Sequence, residues 1–196
     1  IYQVVAANKA GTDWYDEVTR TAPLYRQTLG FGGASDKSRF YIGLSAQDQK
    51  GILLSNSFSR YAARINSEFD LLKNVRIGEN LQVTRRSVVG QGGGGGGQGV
   101  AQDENDILQA FRMPSIIPVY DVFGGYAGTA AKGFNNPRNP VANRDGQANN
   151  DAFETAAFGN LYLEWDPIPG LTLRTSIGGS YQNYFGIGYT RWQYEN

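Results

Sequence analysis

Three patterns in the sequence could carry chemistry, and each can be tested by its spacing. Gly90, Gly92 and Gly95 match G-x-G-x-x-G, the spacing that lets a backbone approach a pyrophosphate. The context does not fit. A dinucleotide-binding strand is buried on both faces and continuously apolar, whereas the run before Gly90 alternates. The glycines also overshoot, as GQGGGGGGQG over 90–99, and read as a flexible linker. Asn143, Asp145, Gln147, Asn149, Asp151 and Glu154 echo the alternate oxygen ligands of a calcium loop. Ala148 stands where the sharp turn needs glycine, and no helix pair flanks the segment, so calcium here has no further support. Asp13 with Asp16 and Glu164 with Asp166 are carboxylate pairs, but neither has a spacing specific to glycoside hydrolysis. The chain has no cysteine and no histidine, which excludes thiol and disulfide chemistry and removes the commonest general base and metal ligand. Catalysis has no positive support; neither an enzyme nor a cofactor is expected.

The elements that hold these residues tell more. Lys plus Arg and Asp plus Glu both number 18, so the net charge of zero gives no electrostatic reason for a nucleic-acid partner. With 26 glycines, 12 tyrosines and 10 phenylalanines, the composition suits β-structure with many turns better than a helical bundle. No stretch approaches the roughly 20 apolar residues of a transmembrane helix. A transmembrane β-barrel would show none, because its strands alternate and their hydropathy averages out. Ile1 is not an initiator methionine, and IYQVVAANKAGTDW lacks the basic start and apolar core of a signal peptide. Both ends are expected to be cut rather than finished.

Period-two alternation recurs along the chain. Residues 25–33 place Tyr25, Gln27, Leu29 and Phe31 on one face, and residues 38–47 set Phe40, Ile42, Leu44 and Ala46 against Arg39, Tyr41, Gly43, Ser45 and Gln47. Residues 59–71 oppose Tyr61, Ala63, Ile65, Phe69 and Leu71 to Arg60, Arg64, Asn66, Glu68 and Asp70. Residues 75–86 oppose Val75, Ile77, Leu81 and Val83 to Arg76, Asn80, Gln82, Thr84 and Arg86, with Glu79 and Arg85 breaking the apolar face. Residues 157–166 alternate Leu161, Leu163 and Trp165 with Asn160, Tyr162, Glu164 and Asp166. Residues 171–182 alternate Leu171, Leu173 and Ile177 with Thr172, Arg174, Ser176, Ser180 and Gln182. The result is six amphipathic strands, most near the ~9–11 residues that cross a bilayer at a tilt.

Connections alternate in length with strand direction. Residues 34–37, 71–74 and 166–170 are tight turns rich in Asp, Asn, Pro and Gly, whereas 48–58 is a longer loop and 87–153 a very long one. Within the latter, residues 103–111 are expected to form a short helix, and 112–120 and 135–140, punctuated by proline, to run extended. Short turns at one end and long loops at the other are the habit of outer-membrane barrels. A soluble β-sandwich, surface-attached or free and binding carbohydrate, also alternates. Three features favour the membrane: polar faces crowded with Arg, Asn, Gln and Glu; loop lengths in step with direction; and Tyr25, Tyr61, Phe69, Trp165 and Tyr181 near strand ends, where interfacial aromatics belong. Six strands cannot close a barrel, so on this reading the whole chain, 1–196, is part of a larger one.

The segments Thr12-Asp13-Trp14, Arg20-Thr21-Ala22-Pro23, Gly32-Gly33, Gln49-Lys50-Gly51 and Arg60-Tyr61…Arg64-Ile65-Asn66 resemble, in order and spacing, the SusC/RagA family of TonB-dependent outer-membrane transporters. Residues 113–121, 133–142 and 159–179 continue the resemblance, from which the glycine run departs. It implies an all-β, antiparallel transmembrane barrel of about 22 strands with a plugged lumen. It also implies import of glycans or oligopeptides across the outer membrane of a Gram-negative, Bacteroidetes-type bacterium. The implied partners are a SusD-like surface lipoprotein, the TonB complex acting through a plug, and outer-membrane lipids. On that reading Arg39, Tyr41, Arg60, Arg64, Asn66, Glu68, Arg76, Asn80, Tyr162 and Arg174 line the lumen, and the loop aromatics Trp14, Tyr120, Phe123 and Tyr126 could stack on sugars or pack against a lid.

Overall fold

The computed structural model describes residues 10–90, 105–129, 133–134 and 137–189. The glycine run after Gly90 lies outside them. A short helix α1 (Trp14–Val18) precedes four strands, β1 (Leu24–Ser35), β2 (Ser38–Lys50), β3 (Ser57–Leu72) and β4 (Val75–Val89). Two helices follow, α2 (Asp106–Arg112) and α3 (Pro140–Gln147), and then β5 (Asp151–Ile168) and β6 (Leu171–Ile187). The strands form one antiparallel sheet in the order β1-β2-β3-β4-β5-β6, each paired with its sequence neighbour.

Tight turns join β1 to β2, β3 to β4, and β5 to β6, and Gly170 supplies the left-handed backbone (φ +87°) that the last of them needs. All long connections leave from the opposite end. The strands overrun their expected ends, most of all β5, which begins at Asp151 rather than 157. Its first residues, Asp-Ala-Phe-Glu-Thr-Ala, do not alternate cleanly, yet they pair with Val89–Thr84. Backbone pairing needs only a neighbour, whereas alternation is demanded only where the two faces meet different solvents.

The registers carry the two faces across the sheet. Phe31, Ile42, Ile65 and Leu81 share one row, and Leu29, Leu44, Ala63, Val83, Ala157 and Tyr181 another. Among the described residues nothing packs on this apolar face: Leu29, Phe31, Leu161 and Ile177 are 51–75% exposed. A β-sandwich needs a second sheet, and the described residues contain one sheet only. The buried core lies elsewhere. Trp14, Val18, Ala110, Met113, Ile117, Val119 and Ala127 form it, with Leu53, Phe134 and Val141 at its margin. It belongs to a small cap that α1, α2, α3 and their loops build at the long-loop end. Among the described residues no helix is long and apolar enough to cross a membrane.

Candidate functional site: the polar face and its cap

Odd-numbered positions of β2, continued through the ladders, define the second face of the sheet. Arg39, Glu68, Gly78 and Tyr162 lie in one row near the tight turns, and Asp70, Arg76, Glu164 and Arg174 in the next. Arg39 Nε donates to Glu68 Oε1 (2.7 Å), and Tyr162 Oη donates to Glu68 Oε2 (2.7 Å). Arg76 reaches Asp70 (3.0 Å), Glu68 (3.2 Å) and Glu164 (3.2 Å); Arg174 pairs with Glu164 (3.1 Å) and lies 4.0 Å from the centre of the Tyr162 ring. Exposed ion pairs contribute only about 0–1 kcal/mol each. Their consequence here is geometric: Glu68 and Arg76 have three partners each and Tyr162, Glu164 and Arg174 two, which fixes their positions.

Glycine makes this packing feasible. A Cβ on Gly78 would collide with the Tyr162 ring, which occupies the space beside the bare backbone there. Nearer the long loops, Tyr41, Asn66, Asn80 and Asn160 share a row, and Asn80 Nδ2 donates to Asn160 Oδ1 (3.1 Å). Arg64, Gln82 and Phe158 form the next odd row. Two rows further lie Arg26, Gln47, Arg60, Arg86 and Glu154, where Arg86 pairs with Glu154.

On the apolar face, Ser67 Oγ donates to Glu79 (3.0 Å), which holds that exception. Arg85 shares its row with Gln27, Tyr61 and Thr155, so apolar character ends at this level. Tyr61 Oη donates to Asp48 on the loop side of it.

The cap is built from helix caps and one buried ion pair. Asp13 accepts from the Tyr15 and Asp16 amides to start α1, and Asn105 from those of Ile107 and Leu108 to start α2. Asn139 is fully buried: its Oδ1 caps α3 at Val141 and Ala142, and its Nδ2 donates to the Val119 and Ala127 carbonyls (both 2.9 Å). The Arg144 guanidinium sits 2.7 Å from Asp106 and donates to Asn56 Oδ1 (2.8 Å) and the Gly90 carbonyl (3.2 Å), tying α3 to the rim of the sheet. Burial pushes the Asp106 carboxyl above its ordinary pKa, opposed by the Asn143 hydrogen bond and by Arg144.

No family model matches the chain. The TonB-dependent receptor P3 of Formosa agariphila is 27% identical over 180 residues, covering 89% of this chain and 17% of that protein. The TonB-dependent receptor SusC of Bacteroides thetaiotaomicron is 26% identical over 192 residues, covering 88% of this chain and 18% of that one. In three dimensions the RagAB peptide transporter superposes with a TM-score of 0.71 at 22% identity, over 91% of this chain and 20% of that one. The chain is SusC/RagA-like. It spans less than a fifth of the length of the curated relatives it matches.

In this SusC/RagA-like sheet all ten polar residues singled out from the sequence fall on the one polar face. Those in contact are Arg39, Glu68, Arg76, Tyr162 and Arg174. Arg60 and Arg64 stand apart from that network, toward the long loops. Asp70, Arg86 and Glu164 complete the pairs, and simple parity within their strands identifies them. Phe158 and Asn160 join the face for the same reason.

The loop aromatics divide. Trp14 is 3% exposed, with its indole Nε1 donating to the Pro114 carbonyl (3.1 Å), so both ring faces belong to the cap core and cannot stack on a ligand. Tyr120 and Tyr126 pair at 5.4 Å between ring centres, while Phe123 is 80% exposed. The calcium-like spacing is not folded as a loop. Asn143, Asp145 and Gln147 ride on α3, where residues two apart do not face each other, and Asp151 and Glu154 belong to β5. The run 135–140, expected extended, ends in the start of α3, with Asn139 as its cap and Pro140 as its first residue.

Proposed function

We propose that the sheet is an arc of an outer-membrane barrel in a TonB-dependent importer, with the apolar face toward lipid and the polar face lining the lumen. The observation that carries this is the single six-stranded layer whose apolar face has no protein to cover it. In water so large an apolar surface would be an interaction or aggregation site; in a bilayer it meets its proper solvent. Tight turns at one end and long connections at the other set the orientation, with the cap outside the cell. The sequence likeness to TonB-dependent receptors supports the same reading.

The activity follows from this placement as transport of an oligomeric nutrient, a glycan or an oligopeptide. The driving force comes from the TonB complex through a plug held against the polar wall. A SusD-like lipoprotein is the lid, seated on the cap, where Phe111, Ile116, Tyr120, Val122 and Phe123 are exposed. Single-cysteine labelling tests the arrangement, because the chain has no cysteine of its own. In intact outer membranes of cells carrying the full-length protein, a water-soluble maleimide should modify Asn80→Cys and Phe123→Cys. It should leave Leu81→Cys untouched until the membrane is dissolved and the barrel unfolded. Equal labelling of positions 80 and 81 in the native membrane would mean that both faces are wet, and the barrel reading would be lost.

A further inference from the structure

The polar face is not uniform in charge. Near the tight turns Arg39, Arg76 and Arg174 are matched by Glu68, Asp70 and Glu164, and every one of these side chains is paired. Toward the cap the balance fails. Arg26, Arg60, Arg64 and Arg86 share that half of the face with a single acid, Glu154, which Arg86 engages. Among the described residues Arg26, Arg60 and Arg64 form no ion pair, and all three are exposed. Arg60 and Arg86 also face each other in register, an arrangement of like charges that costs stability unless an anion lies between them.

We infer that this arginine-rich half of the lumen wall is a binding surface for an acidic oligosaccharide, which deepens and rests on the importer reading above. Guanidinium groups pair bidentately with carboxylates and sulfates, and the three unpaired ones, Arg26 on β1 and Arg60 and Arg64 on β3, offer successive sites to an extended polyanion. The surroundings favour a sugar over an acidic peptide. Extended peptides are commonly read by adding a strand to a free sheet edge. On this face every interior backbone group is already spent in the ladders, so only side chains can read a ligand. Those side chains are flat rings and amides. Tyr41 lies over Gly30 and Gly43 and shares its row with Asn66, Asn80 and Asn160, and Phe158 is exposed beside Gln82 in the next row. Apolar ring faces bordered by amide donors and acceptors suit the two-sided polarity of a pyranose, and the arginines suit its acidic substituent.

The test uses the full-length protein, purified from outer membranes in detergent, with four probes: hexameric oligogalacturonate, a sulfated carrageenan hexasaccharide, neutral maltohexaose and hexaglutamate. An acidic oligosaccharide should bind with an affinity that falls as salt rises. The double variant Arg60→Gln/Arg64→Gln should weaken it on the order of tenfold or more, while leaving any maltohexaose binding unchanged. Three results would each overturn the inference: neither acidic sugar binds, hexaglutamate binds as tightly as they do, or the double variant lowers the unfolding temperature without changing acidic-sugar affinity. The last would mean that the arginines pair with acids elsewhere in the same protein. The cysteine labelling keeps the two proposals apart: a barrel that protects position 81 but ignores acidic sugars loses this inference alone.

Discussion

The sheet and the cap solve the burial problem in opposite ways within one chain. In the cap, three helices of five to eight residues are too short to be stable alone. They are held by Trp14, Val18, Met113 and Ile117 packed together, by three side-chain N-caps, and by Asn139 satisfying two loop carbonyls at the centre. The sheet has longer elements and no core. Its order comes from five antiparallel ladders, shifted in register only beside the turns at Asp70/Leu72 and Trp165/Ile168, and the leucines and phenylalanines of its apolar face are largely exposed. Apolar residues of the same types therefore have different tasks. In the cap they specify a shape; on the sheet they match a medium.

Substitutions should separate the two regions. The largest effect is expected for Trp14→Ala, since deleting a buried tryptophan costs about 3–5 kcal/mol. Loss should stay local, with faster protease cleavage within residues 105–129 of the full-length protein and an unchanged heat-resistant barrel on gels. If the barrel melts with the cap, the two are one cooperative unit. Next comes Leu81→Arg, in the middle row of the apolar face, at about 2–4 kcal/mol for a basic residue at the bilayer midplane. Reversible unfolding in lipid vesicles would measure it, and a neutral result would place that row in water. The smallest concerns acid. Because the folded-state pKa of Asp106 is raised, its contribution to cap stability is fully present below the ordinary carboxylate value and is lost as pH rises through the raised one. Relative to Asp106→Asn, the native cap should therefore resist protease less well as pH climbs through that window. The opposite slope would mean that Arg144 outweighs burial.

The same contrast governs what could be read from the sequence. Alternation revealed the sheet because two solvents impose it residue by residue, and even Glu79 and Arg85 showed as exceptions to one face. The strand ends were harder, since Ser87–Val89 and Asp151–Ala156 pair beyond the zone where alternation is required. The cap left almost no periodic trace. Helix α3 reads Pro-Val-Ala-Asn-Arg-Asp-Gly-Gln, with no apolar stripe, and its signal is the Asn139-Pro140 cap, asparagine followed by proline at the first helical position. Helix α1 was not expected; the local signals for it are Asp13 and the acids of its first turn. Trp14 misled for a related reason. Residue type marks an aromatic as able to stack, but only its contacts with residues a hundred positions away show that it is already engaged.

That sequence distance also gives the cap a mechanical task. The cap core draws on residues 14–18, on Leu53 in the β2–β3 connection, and on 110–127, while Arg144 fastens it to Asn56 and to Gly90 at the end of β4. The contacts of Trp14 and Val18 with residues 110–117 close loops of that length, and β1 through β4 shorten the closure by bringing their rims together. The cap is thus a clasp across the long-loop rim, holding the chain before β1, the β2–β3 connection and the end of β4 to one another.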